Sequence, residues 1–257
     1  MQPRFLFSLL STAIAFACQA PRAEAPRSQS VPLEAAPLRY ATRLISRAET
    51  LAIRNVEDSA AGLMVLRLQA TDDQVLSTID AFSHHSLLQH IEAAFDPQSL
   101  EPRHVHETRR NWQATLTYSG NRLRGSMVTT TAVGSHDTVR VDRPIAPGVL
   151  DRRVLFHVTP WLPLAEEHVF TVRIYDVDAF GTYPVRIKTG ARARVVVPSG
   201  TFDAYRVEMT AGERGMICPP ATLVPSVLYI STDSLRLVLR VERPHGQTFD
   251  LIGWGIP

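Results

Sequence analysis

Beyond about residue 60, apolar and polar residues alternate with a period of two, the signature of strands with one buried face. Met64, Leu66 and Leu68 alternate with Val65, Arg67 and Gln69, and Thr71-Asp72-Asp73 then turns the chain. Residues 75–82 form the next predicted strand, although Val75, Ile79 and Phe82 also suit a helix. In 87–95, Leu87, Ile91, Ala93 and Phe95 fall on one side, with His90 and Glu92 on the other. Asp96-Pro97-Gln98-Ser99 is a turn. Strands over 103–109 and 113–118 follow, and Ser119-Gly120-Asn121 reads as a hairpin leading into 122–131. Residues 38–53 fit helix or strand equally well.

The most strongly patterned stretch is 192–210. Val195 and Val197 share a face of one strand; Tyr205, Val207 and Met209 form a stripe on the next, with Arg206 and Glu208 turned away. Pro198 presets φ for the second position of the turn between them and Gly200 sits at its fourth, a type I pattern. Further strands are predicted over 169–175, 183–189, 227–230, 235–241 and 248–254. Residues 144–167 break the rhythm. There the run from Val149 to Val158 has helical spacing and stops before Pro160 and Pro163. It reads as a short helix and loop crossing between two groups of strands. A faint repeat relates 95–109 to 230–243: strand end, polar turn, Ser-Leu pair, new strand.

The first residues follow a different logic. Arg4 precedes an apolar run from Phe5 to Ala17, too short to span a bilayer. Residues 1–17 are therefore expected to be a signal peptide. Two cleavage readings stand. Ala15-Phe16-Ala17 suits an ordinary signal peptidase, whereas Ala15-Phe16-Ala17-Cys18 resembles a lipoprotein box in which Cys18 is acylated and becomes the new N-terminus. We favour acylation of Cys18; the branched residue usual three before the cysteine is replaced by Ala15. Gln19, in place of aspartate, resembles outer-membrane sorting. Residues 18–37 carry Pro21, Pro26, Pro32 and Pro37 among Ala, Arg, Ser and Gln. Such a segment buries too little to repay its ordering entropy, so a flexible tether is expected. A single β domain is expected over 38–257.

Composition narrows the classes. The 257 residues are 45% hydrophobic and 20% charged with a net charge of +2, which gives no reason to expect nucleic acid as a partner. Lys188 is the only lysine, and the arginines alternate with Val and Leu as a solvated strand face would. Two cysteines, Cys18 and Cys218, are too few for a disulfide framework.

The segments 197–208 (Val-Pro-Ser-Gly-Thr-Phe-Asp-Ala-Tyr-Arg-Val-Glu) and 228–235 (Leu-Tyr-Ile-Ser-Thr-Asp-Ser-Leu) resemble a family of exported bacterial proteins of unknown function. Phe95-Asp-Pro-Gln-Ser-Leu-Glu-Pro102 is similar to that family's first meander. The resemblance covers about two thirds of the mature chain, and its motifs are structural turns. In architecture the family is similar to the half-barrels that carry or receive lipoproteins in the bacterial envelope. What this implies is a curved antiparallel sheet around an apolar cavity closed by a helix or loop, and no catalytic residues.

Candidate chemistry is sparse. Of nine histidines, His104 and His106 share a strand face, and His84, His85 and His90 lie just upstream. Glu107 points away from them and no acid completes a ligand spacing, so solvent-facing histidines without metal are expected. Ser199-Gly200 belongs to a hairpin tip and lacks the strand-to-helix context of a nucleophile. Cys218, beside Met216-Ile217 and Pro219-Pro220, reads as a small hydrophobe. Glu166, Glu167, Asp176 and Asp178 read as solvated loop carboxylates. No phosphate loop or dinucleotide fingerprint is present.

The expectation is thus a mainly β protein, an antiparallel half-barrel or strongly curved sheet with one short crossover helix or loop. It is exported to the periplasmic side of the bacterial envelope and anchored in the outer membrane through Cys18. It binds an apolar ligand such as a lipid acyl chain, without enzymatic activity, cofactor or metal. The alternative is a structural module with a solid core whose partner is another envelope protein.

Overall fold

In the computed structural model, residues 44–54, 62–83, 86–178, 180–211, 226–243 and 246–256 are described. All of them fall within one compact unit, Ala35–Pro257. Cys18, Cys218, His84 and His85 lie outside the described residues.

The alternating segments become one continuous meander. Strands β1 (Arg47–Arg54), β2 (Gly62–Ala70), β3 (Val75–Ser83), β4 (Ser86–Phe95), β5 (Pro102–Arg109), β6 (Trp112–Ser119), β7 (Arg122–Thr130) and β8 (His136–Pro144) pair each with the next. The second half contributes β9 (Val149–Asp151), β10 (Val169–Asp176), β11 (Gly181–Val197), β12 (Gly200–Ala211), β13 (Ser226–Ser231), β14 (Val238–Glu242) and β15 (Thr248–Gly255). β1 joins the halves by pairing with β15, giving a curved, non-closed sheet of 15 strands with β8 and β9 at its edges. Every pairing is antiparallel except β9 with β10. The expected architecture is therefore the observed one.

Between the halves lies the plug. Val149–Val158 is not helical throughout as expected: Val149–Asp151 is strand, held by pairing with β10. A 3-10 turn (Arg152–Val154), one turn of helix, α1 (Leu155–Val158), and a second 3-10 turn (Thr159–Trp161) follow. Asp151 caps the first turn, accepting a hydrogen bond from the Arg153 amide at 2.9 Å. Val154, Val158, Trp161, Leu162 and Leu164 pack in one core with Leu66, Ile79, Ile91 and Val105 of the first half and Val207, Leu228 and Val241 of the second. Much of the interior is thus filled by side chains from this crossover.

Two irregularities redirect the apolar stripes. In β4 the register slips between the pairs Ala81–Gln89 and Phe82–Leu87, so Leu88 is an extra residue. A bulge of one residue exchanges faces. Leu87, expected beside Ile91, Ala93 and Phe95, is 53% exposed while those three are buried. In β11, the segments 183–189 and 192–197 expected as separate strands form one 17-residue strand with a slip between Thr189 and Arg192. Val185 and Ile187 join the main core, but Val195 and Val197 pack with Ala204, Leu237, Leu239 and Leu251 in a cluster of their own. Because Ala204 alternates with the inward Tyr205, this cluster lies on the opposite face. Not every apolar stripe converges on one interior.

The sequence pattern also misses β8. Only Val141 in that strand is buried, since an edge strand presents both faces to water and carries no alternation. Its Asp137, Arg140, Asp142 and Arg143 guard an edge that would otherwise recruit another strand. β6–β8 pack with Val149, Tyr175 and Val177 in a third cluster, so the sheet curls back toward its own end. Tyr118 and Tyr175 meet there edge to face, ring centroids 6.5 Å apart.

Candidate functional site

A pocket of about 420 Å³ opens between the plug and strands from both halves of the sheet. One wall is apolar: Met64, Ile79 and Ile91 from β2, β3 and β4, Leu155 and Phe156 from α1, and Met209 from β12. β2, β3 and β4 are neighbours but β12 is remote from them along the sheet, and only the sheet's curvature around the plug brings their inward residues together. The other wall is charged, built from Arg109, Arg152, Arg153, Asp178 and Arg243.

Behind the charged wall is a buried ion-pair network. Glu107, on the inward face of β5 with Val105, is removed from solvent. It accepts hydrogen bonds from Gln89 (2.5 Å) and Arg109 (2.5 Å) on one oxygen and from Arg153 (2.6 Å) on the other. Arg153 also holds Asp151 through a bidentate contact at 2.6 and 2.7 Å, and the Tyr118 hydroxyl donates to the same carboxylate. Burial by itself would lower the Arg153 pKa, but Asp151 and Glu107 outweigh it and hold the guanidinium charged. Burial first, and then the Asp151 charge, push the Tyr118 phenol well above its ordinary value.

Asp176 and Asp178, expected as solvated loop carboxylates, belong to this network instead. Arg152 lies 3.1 Å from Asp176, which is fully buried, and 2.7 Å from Asp178. Arg109 reaches Asp178 at 3.3 Å. The acids satisfy guanidiniums brought from elsewhere in the chain, and that makes their burial tolerable. Glu166 is the solvated carboxylate it was expected to be, 2.6 Å from Arg192 on the surface.

Arg243 differs from the other three arginines of the wall. Its guanidinium stands 5.7 Å from the Phe156 ring centroid and 5.1 Å from that of Phe249. No carboxylate lies within ion-pair distance of it among the described residues. The residue keeps exposed surface, as a group at a pocket mouth does. Crowding by protein atoms, and then the like charge of Arg152, pull its pKa below the ordinary value. In Arg153 the Nη2 atom is buried without a hydrogen-bond partner.

The histidines do not meet here. His104 is exposed, and His106 hydrogen-bonds Thr115 at 3.0 Å and Thr108 at 3.2 Å. His90 pairs with Asp80 at 2.6 Å on the outer face. Among the described residues no group of three or more His, Cys, Asp or Glu is placed to hold a metal ion. A further pair that spacing did not reveal is Ser77 with His157, hydrogen-bonded in the core though 80 positions apart. Burial, with a smaller contribution from Arg47, lowers His157 to about 3, so it is neutral. Neither residue lines the pocket. No helix among the described residues is long and apolar enough to cross a membrane.

The model of DUF3108, a protein family of unknown function, matches residues 61–251, from the start of β2 into β15. The chain belongs to the DUF3108 family. None of the curated proteins compared with it matches. The chain is similar in fold to a β-barrel-like protein of the DUF1849 family from Brucella abortus, with a TM-score of 0.57 at 9% identity, covering 84% of this chain and 100% of that one. Two further solved structures match with lower TM-scores. One is a "putative exported protein" with a YmcC-like fold from Bacteroides fragilis (0.38, 9% identity, 85% of this chain and 99% of that one). The other is a "putative lipoprotein" from Parabacteroides distasonis (0.33, 10% identity, 83% and 97%). The DUF3108 match includes the inward strands β2–β5 and β11–β12 and the plug, hence both walls of the pocket.

Proposed function

We propose that this DUF3108 protein binds an apolar ligand, such as a lipid acyl chain, in the pocket between plug and sheet, and does so without catalysis. The observation that carries the reading is the pocket itself. Its 420 Å³ falls within the about 300–1,000 Å³ usual for small-molecule sites, and an apolar wall faces a few convergent polar groups. Native mass spectrometry of protein extracted from membranes tests it. Retained lipid is the expected result; protein that never carries lipid, and takes none up when offered it, overturns the reading.

Export supplies the setting. The signal-like residues 1–17 and the cysteine that follows support a lipoprotein facing the periplasm, tethered by 18–37 and anchored in the outer membrane. A single acylated cysteine would place the pocket near its ligand source without a spanning helix. Replacing Cys18 with Ala is expected to move the protein from the membrane to the soluble fraction; unchanged sedimentation removes acylation. A second reading, a module that engages another envelope protein, draws support from the plug that fills much of the interior. In-cell crosslinking that recovers one defined partner in place of lipid would favour it.

A further inference from the structure

We infer that the pocket selects a single-chain amphiphile with an anionic head, a carboxylate or a phosphate, seated on Arg243. The inference rests on the ligand-binding reading above and specifies its chemistry. Arg109, Arg152 and Arg153 already have their acids in Glu107, Asp151, Asp176 and Asp178. Arg243 faces the same pocket with two aromatic rings and no carboxylate among the described residues. A guanidinium remains charged at any physiological pH, so its local balance must come from an anion or from water.

The surroundings favour an anion. Arg152 and Arg243 are like charges on one wall, and an anion between them would turn mutual repulsion into attraction. Deeper in the same wall, the buried Arg153 Nη2 is a donor without an acceptor. A planar carboxylate or a phosphate matches such donors, whereas a cationic head would meet repulsion and a neutral one would leave Arg243 unpaired. Opposite, Ile79, Ile91, Leu155 and Met209 offer a surface for a tail. At 420 Å³ the pocket lies toward the small end of the about 300–1,000 Å³ range, a size for one chain.

The test compares heads on one tail. Full-length purified protein is loaded with the neutral fluorophore N-phenyl-1-naphthylamine, which is then displaced by palmitate, hexadecyl phosphate or hexadecanol. At least one of the two anions is expected to displace it at a concentration about tenfold below the alcohol, as one charged hydrogen bond implies. Whichever anion acts lower identifies the head as carboxylate or phosphate. Arg243→Met, whose stem still packs on Phe156, is expected to abolish the preference without weakening the alcohol, and Arg243→Lys to keep it. If the wild-type protein takes alcohol and both anions equally, the head-group inference falls while the pocket reading stands. If the preference survives in Arg243→Met, Arg243 is not the seat. If nothing binds, the inference and the pocket reading fall together.

Discussion

Arg153 Nε lies 2.6 Å from Glu107 Oε2, and both side chains are all but removed from solvent. The contact joins the plug to β5 across 46 positions of sequence. It also sets the back of the charged wall, since Glu107 holds Arg109 as well. Removing one partner leaves the other charged and dry. Glu107→Ala is expected to cost about 3–5 kcal/mol in urea unfolding. The triple variant Glu107→Leu with Arg153→Met and Asp151→Asn, which leaves no buried carboxylate without its guanidinium, should recover a large part of that loss. If the single variant unfolds like the wild type, the network is not structural.

The bulge at Leu88 has a direct test. Ile91→Ala is expected to cost about 2–5 kcal/mol, and Leu87→Ala within about 0.5 kcal/mol. Without the bulge the two leucine-like positions would share a face and their costs would be similar.

Gly125 approaches the neighbouring strand too closely for a side chain. A Cβ there would stand 2.0 Å from the Thr115 carbonyl oxygen and 3.0 Å from the Leu116 Cα. Gly125→Ala is expected to lose about 1–3 kcal/mol or more by overpacking. Gly134, at φ +80° with open space around it, should lose only about 1 kcal/mol on the same change. Thermal unfolding of the two variants gives the order.

His90 and Asp80 predict a modest pH dependence. The hydrogen bond to Asp80, and then that to Glu92, raise His90 above its ordinary value against the effect of burial. Burial by itself would raise Asp80, but hydrogen bonds from His90 and Arg67 hold it lower. The His90 contribution is complete below the unfolded pKa of about 6.5 and fades as pH rises through the folded one. The Asp80 contribution is complete above about 3.9 and fades as pH falls through its folded value. The pair is therefore strongest between about pH 4 and 6.5. His90→Gln should cost about 0.2–1 kcal/mol at pH 5.5 and close to nothing at pH 9. Equal losses at both pH values would show that the ion pair does not contribute.

Filling the pocket should block its use. Met209→Trp places a larger ring among Ile79, Ile91 and Leu155, and is expected to lower lipid retention in native mass spectra severalfold. The stability cost should remain about 1–3 kcal/mol. Undiminished retention would locate the ligand elsewhere.

Period-two alternation in β2, the stripe Tyr205-Val207-Met209 and the turn at Pro198-Ser199 were legible because each depends on a few neighbouring residues. So were the antiparallel meander and the break at the plug, since short turns leave consecutive strands little choice but to pair. Edge strand β8 was not legible, because polarity on both faces erases the period. Asp176 and Asp178 were misread as solvated for a different reason. A carboxylate in a turn looks alike whether water or a distant guanidinium satisfies it.

The chain by itself determines which residues lie in extended segments and the order in which most strands pair, since these rest on local backbone and side-chain preferences. Which face each stripe presents was decided by the bulges at Leu88 and before Arg192, where one added residue reverses inside and outside. The pocket was decided only when β2–β4 and β11–β12 curled around the plug. So was the pairing of three arginines with four acids, which left Arg243 without one among the described residues. Distance in space sets charge pairing, and distance in sequence carries almost no information about it.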